Sequence, residues 1–458
     1  MIERCFKAER SEFIALYGRR RVGKTFLVRQ YFDNTFDFYV TGIANSNKQT
    51  QLLNFHNSLH KHRETASSPP SSWIEAFDQL TRKLNQSQKK KKVIFIDELP
   101  WMDTHRSGFI SGLEYFWNSW ASARTDILLI GCGSAASWMI NKLINNKGGL
   151  YNRVTERIKL KPFTLSETEQ YFEAKNYHID RYQTIQMYMA LGGIPYYLDR
   201  IKPQYSVAQN INQLCFADDA PLKNEFQMLF KSLFDSPDNH LEIIKALVQK
   251  RIGLPRKEIL QKVSIKDGGG FKRALSELES SDFIRSYQSH GKQKRDTIYQ
   301  LTDPFILFHH QHIKNAKDSN YWLSQLNTPK LLSWQGNAFE IICLLHIAQI
   351  KKALGIEGVS AQISAWWGEH AQVDLVIDRQ DRVINLVEIK FSINSFEITK
   401  KYDEVLRTKV AEFIKHSNTN KAVWLTLVSS FGLSNNKYAG TIQRVITMDA
   451  LFAEEQAF

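Results

Sequence analysis

Short apolar runs separated by amphipathic stretches predict a parallel β-sheet in the first third of the chain. Runs of β-forming residues that alternate with helix-length segments are typical of a sheet covered by helices on both faces. The runs lie at residues 13–17, 36–40, 93–96, 127–130 and 158–160. The pattern therefore predicts an α/β fold over residues 1–160.

The pattern changes after residue 160, where it predicts a helical lid and then a winged helix. Residues 161–237 lack strand patterning and predict helices, one opened by Leu165 and another broken by the glycines and proline of residues 192–195. Residues 238–302 predict three helices and then two strands, at 283–287 and 297–301. This order of elements favours a winged helix.

A second α/β pattern occupies residues 303–458. A helix is predicted over residues 334–349, and strands and a further helix follow in the order β-β-β-α-β-β. The predicted strands are 361–367, 373–378, 383–391, 422–428 and 444–448, and the helix between them is 396–416. The last segment is therefore predicted to form a domain of its own.

Composition excludes several classes of protein. With 458 residues, 43% of them hydrophobic and 23% charged, the chain can bury more than one core, so disorder and a disulfide scaffold are excluded. The N-terminus has no signal-peptide pattern, and no apolar run reaches the length that spans a bilayer. We therefore expect a cytoplasmic protein that does not bind membranes, and we expect its four scattered cysteines to be small buried side chains.

The net charge of +13 is concentrated in two of the predicted domains. Residues 1–160 carry 24 basic and 14 acidic side chains, and residues 238–302 carry 13 and 8. A basic excess favours polyanionic partners, because Lys and Arg displace the counterions of nucleic-acid phosphates. The charge thus makes DNA a candidate partner.

A phosphate-binding motif lies between the first predicted strand and the helix that follows it. Residues 18–25, GRRRVGKT, match G-x-x-x-x-G-K-[ST] in the strand–loop–helix context that this motif needs. Backbone N–H groups of such a loop bind the phosphates of ATP, the lysine reaches the β and γ oxygens, and the hydroxyl binds Mg²⁺. The predicted ATP-binding residues of this segment are Gly18, Val22, Gly23, Lys24, Thr25 and Phe26.

Acidic and hydroxyl side chains follow two later strands of the same predicted sheet. Asp97 and Glu98 end the strand at 93–96, so Asp97 is expected to contact the hydrated Mg²⁺ and Glu98 to polarise the attacking water. Ser134 follows the strand at 127–130 and is expected to sense the γ-phosphate. The alternative for Ser134 is that it only caps a helix.

These motifs resemble the archaeal-type ATPases of the AAA+/STAND-like group. The resemblance rests on five segments that occur in this order: GRRRVGKT, FIDELPWM, GCGSAASWM, LYNRVTERIKLKPF and LGGIPYYL. It implies a P-loop ATPase core, a lid, a winged helix and a nuclease-like domain. It also implies that Arg153 is an arginine finger or sensor, and that Gly193 and Pro195 form a lid turn near the nucleotide. From the sequence, Arg153 could equally form a surface salt bridge, and Arg157 is a rival for its role.

A hairpin in the last domain places two carboxylates and a lysine on one face. A hairpin centred on Asp381 pairs Asp374 with Glu388, and Lys390 lies two residues further along the same face. Opposed carboxylates repel each other, so a divalent metal is the physical reason to keep such a pair.

The Asp…Glu-x-Lys arrangement and the order of elements resemble a PD-(D/E)XK nuclease core, that is, a restriction-endonuclease-like domain. The resemblance implies that Asp374, Glu388 and the carbonyl of Ile389 bind Mg²⁺ and that Glu340 of the preceding helix completes the metal site. It also implies that Lys390 orients the attacking water or stabilises the charge of the phosphorane. The alternative is a nuclease fold that is retained only for binding.

The third predicted helix of the winged-helix segment carries Lys272 and Arg273 opposite its apolar stripe, where a recognition helix contacts DNA. The predicted wing carries Lys292, Lys294 and Arg295. The alternative is a protein-docking surface.

The sequence thus predicts a four-domain, magnesium-dependent ATPase, with a core at 1–160, a lid at 161–237, a winged helix at 238–302 and a nuclease-like domain at 303–458. A finger such as Arg153 that acts in trans would imply a homo-oligomer. The alternative function is a nucleotide-driven regulatory switch or scaffold, in which the last domain only recognises a partner. A third hypothesis is a defence effector that cleaves invading nucleic acid. It would use the same chemistry as the first hypothesis but would have a different biological role.

Overall fold

The structure is a computed structural model that describes residues 1–60, 68–234, 236–291, 296–369 and 371–454. The chain divides into two compact units, Met1–Lys161 and Pro162–Phe458. All four cysteines are free and buried, as the sequence predicts.

The first unit contains the parallel sheet that the apolar runs predict. Its strands are β1 Glu12–Tyr17, β2 Phe38–Thr41, β3 Lys92–Asp97, β4 Ile127–Gly133 and β5 Glu156–Lys159. They stand in the order β2-β3-β4-β1-β5, and every neighbouring pair is parallel. The carboxyl ends of all five strands therefore lie at one edge of the sheet.

Helices cover both faces of this sheet. They are α1 Ile2–Lys7, α2 Lys24–Tyr31, α3 Lys48–Leu59, α4 Trp73–Asn85, α5 Leu99–Met102, α6 Phe109–Ser119 and α7 Ala136–Trp138, and a π-helical turn follows at Met139–Ile144. Neighbouring strand residues point to opposite faces, so Phe13 lies in one core and Ile14 in the other. This two-sided burial explains why the strands are continuously apolar.

The second unit begins with five helices, as the absence of strand patterning predicts. They are α8 Leu165–Ala174, α9 Arg181–Leu191, α10 Pro195–Leu198, α11 Val207–Cys215 and α12 Glu225–Leu233. Capping boxes define the starts of α8, α9 and α11, where Thr164, Asp180 and Ser206 each accept a hydrogen bond from the backbone N–H three residues later. Helix α9 ends where the sequence predicts a break, because Gly192 adopts a φ of 63°.

The next segment has three helices and a small sheet. Its elements are α13 Asp238–Val248, β6 Leu254–Pro255, α14 Arg256–Lys262, α15 Gly269–Ser280, β7 Ile284–Tyr287 and β8 Ile298–Leu301. The predicted helices and hairpin are present, and the two-residue strand β6 adds to the hairpin in the order β6-β8-β7. Lys292, Lys294 and Arg295 lie outside the described residues.

The last segment forms a five-stranded mixed sheet with helices. Its elements are α16 Pro304–Gln311, α17 Tyr321–Ser324, α18 Pro329–Leu345, α19 Ile347–Ala353, β9 Ala361–Trp367, β10 Gln372–Arg379, β11 Val383–Lys390, α20 Lys400–Ser417, β12 Ala422–Ser429 and β13 Arg444–Thr447. The sheet order is β13-β12-β11-β10-β9, in which β9, β10 and β11 are antiparallel and the other pairs parallel. This is the predicted order of elements.

Two helices of the last segment differ from the predicted ones, each for a local reason. The predicted helix at 334–349 is two helices, because the chain bends at His346, whose Nδ1 bonds the carbonyl of Ile342 at 2.8 Å. The predicted helix at 396–416 begins only at Lys400, because Thr399 caps it and Phe396 pairs with the backbone of Leu433 instead.

No single helix among the residues that the structure describes has both the length and the apolar composition needed to cross a membrane. One bent pair, α18 with α19, meets these criteria by length and composition alone, and its two helices meet at 78°.

Candidate functional site

The phosphate-binding loop connects β1 to α2 at the carboxyl edge of the first sheet. Gly18 has a φ of 150°, and a Cβ there would lie 2.1 Å from the carbonyl oxygen of Leu160, so this position requires glycine. Gly23 caps α2 with a φ of 92°, which a larger side chain would strain. The side chain of Val22 in the loop is buried, whereas that of Phe26 on α2 is 71% exposed. The loop thus leads directly into the N-terminus of α2, and backbone N–H groups at a helix N-terminus form an anion-binding site.

The side chain of Lys24 lies inside this loop. It is buried, and its Nζ donates hydrogen bonds to the carbonyl oxygens of Gly18 at 2.9 Å and Arg19 at 2.8 Å. Burial lowers the pKa of Lys24. A buried ammonium whose hydrogen bonds in the described part of the chain go to two neutral carbonyls is an electrostatic site for an anion.

Thr25 and Asp97 meet at the same edge. The Thr25 hydroxyl donates a hydrogen bond of 2.8 Å to Oδ2 of Asp97, which is buried at the end of β3. Both groups are hard oxygen donors, the ligands that Mg²⁺ prefers, and they stand beside the phosphate loop. The donor set therefore fits Mg²⁺ bound together with a nucleotide.

Glu98 and Ser134 form a second pair, because β3 and β4 are neighbours whose carboxyl ends coincide. Oε1 of Glu98 accepts a hydrogen bond of 2.6 Å from the Ser134 hydroxyl, and Oε2 accepts one of 3.1 Å from the Ser134 backbone. Glu98 adopts a left-handed φ of 48°, an uncommon conformation for glutamate that often marks functional sites. Ser134 does not cap α7, whose N-cap is Ala135.

The remaining predicted nucleotide residues belong to other segments of the chain. Arg153 and Arg157 are both exposed, and within the described part of the chain neither guanidinium forms an ion pair. The surface salt bridge that was the alternative role of Arg153 is thus absent from the described part of the chain. Pro195 opens α10 in the second unit, next to Gly193, where a Cβ would lie 1.9 Å from the carbonyl of Phe163.

The hairpin of the last domain has the predicted register. Leu375 pairs with Val387 and Asp378 with Ile384, and the same register continued by one residue sets Asp374 opposite Glu388. Between Val373 and Val376 the pairing of β10 with β9 is irregular, so the strand is bulged at Asp374. Bulges of this kind re-aim side chains and occur often next to active sites.

Glu388 lies in a cluster of cations and a tyrosine. Its carboxylate accepts from Nζ of Lys390 at 2.8 Å, from Nζ of Lys409 at 2.7 Å, and from the Tyr402 hydroxyl. Burial raises the pKa of Glu388, but the two lysines outweigh it and lower the pKa to about 2. Because the folded-state pKa is depressed, the charge of Glu388 stabilises the fold above its ordinary pKa and loses that effect as the pH falls through about 2.

Asp374 and Glu340 are held by one arginine. Arg251 pairs with Glu340, and its Nη2 lies 3.2 Å from Oδ1 of Asp374. Gln372 also donates to Asp374. In the regions that the structure describes, no three acidic, histidine or cysteine side chains stand together as a metal-ligating group. The sequence expected Glu340, Asp374 and Glu388 to share one metal, but here each carboxylate is paired with a cation.

Helix α15 presents Lys272 and Arg273 to solvent while Phe271, Leu275 and Leu278 are buried. The Lys272 side chain makes no hydrogen bond or ion pair to any described residue. Arg273 pairs with Glu277 at 2.8 Å, so one of the two cations already has an acidic partner.

Sequence reasoning missed Arg251 and Tyr402 at the carboxylate cluster. Lys409 also belongs to it, and its side chain is mostly buried against Glu388. The helical spacing of Tyr402 and Lys409 could have indicated that they share a face of α20. Nothing local could have indicated Arg251, which is 123 residues from Asp374.

Comparison with known proteins gives two family matches. Residues 1–201 match a family described as an ATPase domain predominantly from Archaea. Residues 304–419 match a family described as Archaea bacterial proteins of unknown function. An uncharacterized protein of Methanocaldococcus jannaschii is 24% identical over 410 residues, which cover 86% of this chain and 87% of that protein.

Two solved structures are similar in part. The Walker-type ATPase of Pyrococcus abyssi is 17% identical and matches 64% of this chain and 89% of its own, with a TM-score of 0.44. The ORC2 protein of Aeropyrum pernix is 13% identical and matches 71% and 92%, with a TM-score of 0.38. Scores this low carry no argument about function. The ordered motifs, their geometry at one sheet edge and the match of residues 1–201 identify the first part of this chain as a P-loop ATPase domain of the type found predominantly in Archaea.

Proposed function

We propose that this ATPase binds Mg²⁺-ATP and uses its nucleotide state to control a DNA-binding winged helix and a metal-dependent nuclease-like domain. The observation that carries the proposal beyond ATP hydrolysis is the hairpin register that sets Asp374 opposite Glu388 with Lys390 beside it. Four predicted domains, 1–160, 161–237, 238–302 and 303–458, divide these tasks.

In the nucleotide site, Lys24 would neutralise the β- and γ-phosphates, and Thr25 and Asp97 would hold Mg²⁺, which would supply charge stabilisation to the transferring phosphoryl group. Glu98 accepts a proton from the attacking water, and Ser134 fixes the orientation of Glu98 through its two hydrogen bonds. Arg153 is exposed and has no acidic partner among the described residues, so it is available to a second copy of the chain in a homo-oligomer.

In the nuclease-like domain, Asp374, Glu340 and Glu388 are the proposed metal ligands, and Lys390 stabilises the charge that develops on the phosphate. Lys272 and Arg273 on α15 are the proposed DNA contacts of the winged helix. The net charge of the segment supports this, since residues 238–302 carry 13 basic and 8 acidic side chains.

The ion pairs of Glu388 favour a second function, because each of its two carboxylate oxygens is paired with a lysine, Lys390 or Lys409. A carboxylate with two ammonium partners and a tyrosine hydroxyl has little remaining capacity for a metal. In this alternative the chain is a nucleotide-driven switch or scaffold, and the last domain binds a partner without cleaving it.

The first prediction concerns the lysine of the phosphate loop. In Lys24→Ala, ATP affinity should fall at least about a hundredfold, because the loop loses its only buried ammonium. Titration calorimetry with ATP measures this, and Lys7→Ala is the control, since Lys7 is exposed and forms its ion pair with Glu3 of the same helix. Normal ATP turnover by the variant would contradict the assignment.

The second prediction separates catalysis from binding. Ser134→Ala removes the hydroxyl that bonds Glu98, so kcat for ATP hydrolysis should fall by about ten- to a hundredfold while the Kd for ATP stays the same. Ser137→Ala is the matched control, because among the described residues its hydroxyl hydrogen-bonds to Asn141. An unchanged kcat would remove Ser134 from the mechanism.

The third prediction tests the nuclease-like domain on plasmid and single-stranded DNA with Mg²⁺ or Mn²⁺, each with and without ATP. The wild type should cleave, and Lys390→Ala should not, because the variant loses the cation beside the scissile phosphate. Lys415→Ala is the control, because Lys415 lies near the C-terminal end of α20, and this variant should cleave normally. If neither the wild type nor the control cuts under any condition, the switch or scaffold becomes the better description.

The fourth prediction concerns DNA binding. The double variant Lys272→Ala/Arg273→Ala should weaken DNA affinity about tenfold, and the slope of log K against log salt should decrease by about 2. Fluorescence anisotropy at several salt concentrations measures both. Lys89→Ala/Lys90→Ala removes the same charge from an exposed loop before β3 and should have no effect. Unchanged affinity in the first variant would favour a protein-docking role for α15.

A further inference from the structure

Arg251 belongs to the winged-helix segment but contacts the nuclease-like domain. It lies in the turn between α13 and β6, and its guanidinium bridges Glu340 of α18 and Asp374 of β10. The two distances to Asp374 are 3.2 Å from Nη2 to Oδ1 and 3.4 Å from Nη1 to Oδ2, so both nitrogens of the fork face this carboxylate. One side chain thus holds two of the three proposed metal ligands.

This contact solves an electrostatic problem. Carboxylates that are brought together repel each other unless a cation neutralises them. Three carboxylates, Glu340, Asp374 and Glu388, face three cations, Arg251, Lys390 and Lys409, so the cluster has no formal net charge. Only Arg251 comes from outside the nuclease-like domain. If it left, the cluster would become an anionic site with free carboxylate oxygens, which divalent metals prefer.

Hydrogen bonds hold the turn that carries Arg251 against the small sheet of the winged-helix segment. Gln300 of β8 donates a hydrogen bond of 2.9 Å to the carbonyl of Arg251, and the Tyr287 hydroxyl of β7 donates one of 2.5 Å to the carbonyl of Ile252. Gly253 follows with a φ of 88°, and a Cβ there would lie 2.3 Å from the carbonyl of Tyr299. The position of Arg251 is therefore set by β7 and β8.

The same hairpin is docked on the nuclease-like domain beside β9. The backbone N–H of His290 donates to the carbonyl of Ala365 at 2.9 Å, and Ser289 forms a bridge with Ala365. Tyr287, Ile298 and Ala365 form a small buried cluster under this contact. A movement of the hairpin away from β9 would thus also move Arg251.

We infer that Arg251 is an internal cation that occupies the Glu340–Asp374 pair in place of a divalent metal. Docking of the winged-helix segment keeps the site closed to metal, and its withdrawal admits the metal. The inference rests on the proposed metal site of the nuclease-like domain and concerns how that site is regulated. A ligand whose binding moves the winged-helix segment away from β9, such as duplex DNA, would open the site to the metal.

Metal binding tests this inference without requiring cleavage. Titration calorimetry of the full chain with Mn²⁺, in the absence of nucleotide, should give a Kd for Arg251→Gln about tenfold or more below that of the wild type, because one positive charge leaves the ligands. Lys250→Gln is the matched control, since it removes the neighbouring charge, whose ion pair in the described part of the chain is with Glu258, and it should bind Mn²⁺ like the wild type. Adding Asp374→Asn to Arg251→Gln should abolish the gain.

Equal Mn²⁺ affinities for Arg251→Gln and wild type would overturn the inference, and so would an equal gain in Lys250→Gln. If Arg251→Gln does not fold, Arg251→Lys serves instead, because it keeps the charge but loses the two-pronged geometry. Its Kd should lie measurably below that of the wild type, and an equal Kd would overturn the inference. A gain in Mn²⁺ affinity without any DNA cleavage would uphold the role of Arg251 and count against the nuclease proposal alone.

Discussion

The parallel alignment of β1, β3 and β4 is the constraint on which the nucleotide site depends. In a parallel sheet every strand delivers its last residue to the same edge, so residues far apart in the chain become neighbours there. The loop after β1, the acidic pair after β3 and the serine after β4 meet for this reason. The Thr25–Asp97 and Glu98–Ser134 hydrogen bonds are consequences of that alignment.

Charge neutralisation is the corresponding constraint in the second unit. Three carboxylates at the hairpin and α18 are stable together only because three cations face them, and the burial of Glu388 makes its pairing with Lys390 and Lys409 the more necessary. The same pairing that stabilises the cluster keeps its oxygens occupied. Stability and the proposed metal binding would therefore compete at this site, and Arg251, from the turn before β6, holds two of the three carboxylates.

The sequence predicted the elements well wherever a local pattern determines them. The strands of both sheets and the hairpin register followed from apolar runs and from a turn centred near Asp381. Element ends were less accurate where a side chain decides them, as at Thr399, which caps α20, and at His346, where α18 ends. The nucleotide pairs could be predicted because each motif ends a strand. The Arg251 bridge could not, because it joins residues from three separate elements without any local signal.

Helices α8 to α12 are packed against the segment that carries the second mixed sheet, within one compact unit. The backbone N–H of Leu165, at the start of α8, donates to Nε2 of His346 at 3.0 Å, and Tyr182 of α9 stacks on Phe391 with ring centroids 4.6 Å apart. Phe391 follows directly on Lys390, so α9 contacts the end of the strand that carries Glu388 and Lys390. A rearrangement of α8 and α9 would therefore act on the carboxylate cluster through β11, while a rearrangement of residues 238–302 would act through Arg251. The two routes converge on the same three carboxylates.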